Sequence, residues 1–183
     1  LIKALKEEDN EADFRCWGGD RMQGAGAVLV KHYRDLAFMG FAEVVANLRT
    51  ILNNISFCKA DILQYRPDVV ILIDYPGFNL RIANFLKEQG IKVFYYISPQ
   101  IWAWHQSRVK QIKRVVDRMF VILPFEKDFY GKWQVEVDFV GHPLLDAIAD
   151  REHAKDFRKQ ERLDERPILA LLPGSRRQEI KRM

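Results

Sequence analysis

Along this 183-residue chain the spacing of apolar residues changes period several times, and between residues 60 and 145 short apolar runs alternate with amphipathic stretches. The run from Asp68 to Asn79 reads DVVILIDYPGFN. Its core, Val69 to Ile73, is too short to cross a membrane and rich in β-branched residues, as in a parallel strand buried on both faces. Asp74 ends that strand, and Pro76 and Gly77 are turn signals. In open α/β sheets ligands bind beyond the carboxyl ends of the strands, which makes Asp74 the first candidate for chemistry.

After Asn79 the apolar positions Ile82, Ala83, Phe85 and Leu86 predict a helix ending at the cap Gly90, followed by a strand from Lys92 to Ile97. This is a strand–helix–strand unit of the length that a parallel crossover needs. Ser98, Pro99 and Gln100 form a loop, and Trp102 and Trp104 are expected at the same sheet edge as Asp74. The next helix should bury Val109, Ile112, Val116 and Met119. Its other side carries Arg108, Lys110, Lys113 and Arg114, either a solvated face or one that meets lipid head groups or a substrate phosphate. Met119 to Leu123 reads as a strand, Pro124 and Glu126 as a helix start, and Val135 to Val140 as a further strand. The fold class expected is α/β, with a doubly wound, mostly parallel, Rossmann-like sheet.

Upstream, the first residues read as a helix, Phe14 to Trp17 as a strand, and Arg21 to Ala25 as a short helix. Gly18, Gly19, Gly24 and Gly26 favour a backbone-turn role over a phosphate cradle, since no strand–GxGxxG–helix unit surrounds them. From Phe41 the positions Phe41, Val44, Val45, Leu48, Ile51, Leu52 and Ile55 recur at helical spacing. With Met39 and Phe57 they offer more apolar surface than one core face needs. The stripe is thus either a helix packed on the sheet or a membrane- and acyl-contacting patch. A second helix is expected from Ser56 to Arg66, stopped by Pro67.

Between Asp146 and Pro167, 13 of 22 residues are charged, which marks an exposed linker. The expected organisation is a first domain over 1–149, a linker over 150–167, and the start of a second Rossmann-like domain over 168–183. Ile168 to Leu172 predicts a buried strand, with Gly174, Ser175 and Arg176 in the turn that follows. A helix N-terminus beside a guanidinium fork suits a phosphate there.

Composition narrows the classes. At 48% apolar and 30% charged the chain is globular, and a net charge of +4 is compatible with phosphate-bearing ligands or an anionic membrane surface without implying nucleic acid. Cys16 and Cys58 are isolated and read as free thiols in a reducing, cytosolic compartment, with no metal-ligand spacing. No apolar run approaches the ~20 residues of a spanning helix. An NAD-binding fingerprint is missing, since no GxGxxG is followed by an acid ~20 residues on.

The strings GGDRMQ, MGFAEVV, ILIDYPGFNLRIA, VFYYISPQIWAWHQSRV, FVILPFEKDFY, VDFVGHPLLD and ALLPGSRRQEI, in this order, resemble the lipid-A-disaccharide synthase family of glycosyltransferases. The resemblance implies the two-Rossmann-domain GT-B architecture, acceptor domain first. It also implies an inverting reaction of UDP-2,3-diacylglucosamine with 2,3-diacylglucosamine 1-phosphate, with no cofactor or metal, on the inner face of the inner membrane. Carried over by residue, Asp74 matches the acid of the ID-x-P-x-FN motif and becomes the general base, with Asn79 closing that motif. Arg176, with Gly174 and Ser175, matches the PGSR turn that would hold donor phosphate. Ser98, Trp102, Trp104 and Arg108 are the further substrate contacts, and Met39, Phe41, Val44, Val45 and Leu48 fall where the family meets acyl chains and membrane phospholipid. The family's opening strand with its G-E-x-S-G-D turn and most of its donor domain have no counterpart in this sequence, so the segment alone is expected to be inactive. A murein glycosyltransferase or UDP-N-acetylglucosamine 2-epimerase of the same architecture, or a non-catalytic basic membrane-binding module, remain as alternatives.

Overall fold

The computed structural model describes residues 1–35, 48–149, 157–172, 174 and 180. Two compact units divide the chain, Leu1–His142 and Pro143–Met183.

In the first unit, helix α1 (Ile2–Glu8) precedes β1 (Arg15–Gly18), α2 (Asp20–Gly24) and β2 (Val28–His32), with a 3-10 turn at Tyr33–Asp35. Helix α3 spans Leu48–Tyr65. Then β3 (Val69–Ile73), α4 (Pro76–Glu88), β4 (Lys92–Tyr96), α5 (Arg108–Val115), β5 (Arg118–Val121), α6 (Phe125–Gly131) and β6 (Asp138–Phe139) alternate. β1 and β2 pair in parallel, and β3-β4-β5-β6 form a second, wholly parallel sheet. This is the expected α/β class with parallel sheets.

The core lies where β4 and β5 meet α4 and α5. Alternation buries Val93 and Tyr95 on one face of β4, and Met119 and Val121 on β5, while Ile82, Ala83 and Leu86 of α4 and Val109, Ile112 and Val115 of α5 cover them. Helix α4 stops as its sequence predicts. Gly90 takes a positive φ of 71°, its N–H reaches Lys87, and the Ile91 N–H reaches Leu86, a Schellman ending. Below β4, Asp117 accepts from the Val93 N–H at 2.8 Å and from Lys87 at 3.0 Å. Partial burial opposes its ionisation, yet these two donors hold its carboxyl below the usual range.

The small β1–β2 sheet is tied to the helices by a buried carboxylate. Asp61 of α3 receives both Arg15 and, at 3.2 Å, the Trp17 indole N–H. Trp17 also packs at a tilt against Phe57 and Phe78, at centroid distances of 5.4 and 6.0 Å.

Several expectations are corrected. β3 is an outer strand among the described residues, so Leu72 alone is buried and Ile73 is exposed, in place of a strand covered on both faces. Helix α3 runs unbroken through Ser56, because Ile55, Cys58 and Ile62 keep one buried stripe across the expected break. Pro76 and Gly77 open α4, and proline at the first helical turn removes a donor that no helix uses. Met119 belongs to β5, not to α5, and the strand expected over Val135 to Val140 is only Asp138–Phe139.

In the second unit, α7 (Pro143–Ala149) and α8 (Phe157–Gln160) are short. The strand expected over Ile168 to Leu172 does not form, and Leu169 is 94% exposed. A strand exists only within a ladder, and no described residue pairs with this segment. Residues 150–156 of the expected linker lie outside the described residues.

Ile112 is fully buried between α5 and the sheet, so Ile112→Ala should lower the unfolding free energy by roughly 2–5 kcal/mol in urea titrations. Leu52→Ala, on the exposed side of α3, should stay within about 0.5 kcal/mol.

Candidate functional site

Parallel pairing brings the carboxyl ends of β3, β4 and β5 to one edge, with Ile73 opposite Tyr96 and Tyr96 opposite Phe120. The backbone leaves these strands abruptly. Asp74 and Tyr75 both take left-handed conformations, φ 46° and 43°, and Ile97 after β4 has φ 64°. Such conformations cost side-chain-bearing residues about 1–3 kcal/mol each and persist only where surrounding bonds enforce them.

At Asp74 those bonds can be named. Its N–H donates to the Tyr96 carbonyl at 3.1 Å, continuing the ladder by one residue. Its carbonyl accepts twice, from Asn79 Nδ2 at 2.7 Å and from the Tyr95 hydroxyl at 2.6 Å. Asn79 Nδ2 also lies 3.0 Å from the Ile73 carbonyl. Tyr75 then caps α4 with Pro76 behind it. The Asp74 residue itself is exposed, a carboxylate offered to solvent on a turn fixed from beneath.

Tyr95 is wholly buried, and burial pushes its phenol above the ordinary tyrosine range. The Asp74 charge pushes the same way, while the Asn79 amide and the Arg108 guanidinium pull it down. Asp74, Asn79, Tyr95 and Arg108 therefore share one electrostatic neighbourhood.

Ser98 is turned inward. Its hydroxyl lies 2.8 Å from the Tyr130 hydroxyl and 3.2 Å from the Pro99 carbonyl. Ser98 and Tyr130 thus share one hydrogen bond between their hydroxyls. Glu126, also buried, accepts from the backbone N–H groups of Ile122 at 3.2 Å and Leu123 at 2.9 Å, which satisfies a carboxylate that burial alone would penalise. Burial, with a smaller push from Glu126, raises the Tyr130 phenol to about 12.

Trp102 packs edge-on against Phe125 with centroids 5.0 Å apart, and its indole N–H is buried without a hydrogen-bond partner among the described residues. Trp104 is 71% exposed beside His105. Arg108 opens α5, half-buried. The rest of the basic face is partly engaged, Lys113 with the Trp133 carbonyl at 3.2 Å and Arg114 with Asn84 at 3.0 Å.

Gly174 has φ 89° in the second unit, and Ser175 and Arg176 lie outside the described residues. So do Met39, Phe41, Val44 and Val45, while Leu48 is 53% exposed at the described start of α3. Among the described residues no helix is long and apolar enough to cross a membrane, and no three His, Cys, Asp or Glu side chains gather as metal ligands would.

Sequence reasoning missed Tyr95, Tyr130 and Glu126. For Tyr95 a signal existed, since two successive tyrosines in a strand point to opposite faces and a buried phenol must find an acceptor.

A family model described as lipid-A-disaccharide synthetase matches residues 1–183. Over 184 aligned positions the chain is 45% identical to the lipid-A-disaccharide synthase of Trichlorobacter lovleyi, covering 100% of this chain and 48% of that protein. The proteins of the same name from Coxiella burnetii and Myxococcus xanthus are each 42% identical, again over 100% of this chain and over 49% and 48% of their own lengths. The chain spans about half the length of these relatives.

Because the folded state holds the Tyr130 proton more tightly than an unfolded chain, where a phenol titrates near ~10, its contribution to stability is complete below that pH and is lost as pH rises toward about 12. Absorbance titration should find Tyr95 and Tyr130 resisting ionisation where the exposed tyrosines ionise, and Tyr130→Phe should make unfolding free energy less steep in pH over that window.

Proposed function

The chain belongs to the lipid-A-disaccharide synthetase family, and on that premise we propose that it forms the acceptor-side half of a glycosyltransferase whose general base is Asp74. The observation that carries this reading is an exposed aspartate on an enforced left-handed turn, at the carboxyl edge of a parallel sheet, in a chain of this family.

The reaction joins 2,3-diacylglucosamine, delivered as its UDP derivative, to 2,3-diacylglucosamine 1-phosphate. The Asp74 carboxylate takes the proton of the acceptor 6-hydroxyl as that oxygen bonds to the anomeric carbon. The bond from that carbon to UDP breaks on the opposite side, so the anomeric centre inverts. Arg108 lends positive potential near the base, suited to the acceptor phosphate. Residues 168–183 begin the donor domain, where Gly174, Ser175 and Arg176 receive the UDP phosphates and offset charge on the leaving group.

Both substrates carry acyl chains, so the site works at a bilayer surface. Leu48 and Leu52 are exposed on α3, and with Met39, Phe41, Val44 and Val45, which belong to the same apolar stretch of the sequence, they are the side chains that meet that surface.

In a protein of the relatives' full length carrying this segment, Asp74→Asn should lower disaccharide formation by about 10²-fold or more. Equal rates for the two proteins would remove the base role. Replacing Leu48 and Leu52 together by aspartate should reduce flotation with vesicles containing anionic phospholipid while leaving the far-ultraviolet circular dichroism unchanged. Undiminished flotation would place the membrane contact elsewhere.

A further inference from the structure

The carbonyl of Asp74 is held more firmly than a strand end requires. Ordinary ladder bonding accounts for its N–H, which donates to Tyr96. The two donors on its carbonyl come from outside that ladder, one from α4 through the Asn79 side chain and one from β4 through a phenol. The phenol belongs to a strand residue with no exposed surface, whose hydroxyl reaches diagonally from the position opposite Leu72 to Asp74, the residue just past the end of β3.

We propose that Tyr95 is a positioning residue for Asp74, its hydroxyl locking the left-handed turn that aims the carboxylate at the acceptor. The proposal rests on the reading of Asp74 as base. Tyr95 does not touch substrate, being wholly buried. It acts by holding the Asp74 peptide plane in a conformation that an aspartate does not choose unaided. Turning that residue back to a right-handed or extended conformation swings the carbonyl away from both donors, and the side chain moves with it. The Tyr95–Asp74 and Asn79–Asp74 bonds are thus two halves of one clamp, anchored in the neighbouring strand and in the first turn of the next helix. The phenol suits the role because its burial favours the protonated form that donates this bond.

The test is a double-mutant cycle in a full-length protein carrying this segment, with Tyr95→Phe, Asp74→Asn and the pair. Tyr95→Phe keeps the ring in the core and removes only the donor. The expected result is a fall in kcat of roughly ten- to a hundred-fold, the scale of an ångström-sized misplacement, with KM within about two-fold. In the Asp74→Asn background the same change should have no further effect beyond about two-fold, because residues acting as one unit are not additive. Equal losses in both backgrounds, or an unchanged kcat in Tyr95→Phe, would overturn the positioning role. If Asp74→Asn retains full activity, the base reading fails by itself. The clamp is then decided by a crystal structure of the full-length Tyr95→Phe protein. Departure of Asp74 from its left-handed conformation supports it, and an unmoved turn and carboxylate refute it.

Discussion

Parallel pairing of β4 with a neighbour on each side is the constraint on which the rest of the first unit depends. Parallel strands send their carboxyl ends to a common edge, so one pairing scheme decides both where the core lies and where the chain must turn. On the core face it buries Val93 and Tyr95 under α4 and α5. At the edge it sets Asp74 beyond Ile73 within reach of Tyr95 and Tyr96. The left-handed residues at Asp74, Tyr75 and Ile97 fall along this edge, as strain does where a fold presents chemistry.

Much of this was legible in the sequence because it is written in local period. The β-branched run of β3, the helical spacing of Ile82 and Leu86, and Gly90 past the helix end each carry a local physical signal, and each element formed, the helix opening earlier than expected, at Pro76. What could not be read depends on partners far along the chain. Leu72 is the one buried residue of β3 because β3 lies outermost among the described strands, a property of sheet order. Ile168 to Leu172 has the composition of a strand but, among the described residues, no ladder to join. Pro76 is equally a turn signal and a first-turn helix residue, and only the capping conformation of Tyr75 decides between them. The partner of the Tyr95 hydroxyl depends on the register between two strands, which no single strand encodes.

The polar residues of the site divide in a way that residue type alone does not reveal. Asp74 and Trp104 face solvent, whereas Asn79 and Ser98, although they lie in the strings that mark the family, spend hydrogen bonds on the protein's own carbonyls. Long basic side chains divide likewise. Lys113 and Arg114, on a face that reads as free charge, reach across to Trp133 and Asn84 and so brace α5, whereas the Arg108 charge is felt at Tyr95. Asp61, which sequence reasoning passed over, is the acid that ties Arg15 and Trp17 to α3.

A base that must meet a substrate hydroxyl cannot be oriented by burying its own carboxylate, since burial would remove the lone pairs that accept the proton and raise the cost of its charge. Hydrogen-bonding the carboxylate directly to fixed donors would orient it but weaken it as a base. Fixing the residue through its backbone avoids both losses. At Asp74 the N–H is taken up by Tyr96 and the carbonyl by Asn79 and Tyr95, while the residue stays exposed. The left-handed conformation follows from the same requirement. An extended residue would carry its side chain on along the pleat of β3, whereas a reversal at the strand end lets the backbone drop into α4 at Pro76 while the side chain stays at the sheet edge. With Asp74 as the proposed base, the strain at Asp74 and Tyr75 follows from separating the anchored backbone of the residue from its exposed side chain, and the buried phenol of Tyr95 is one of the groups on the anchored side.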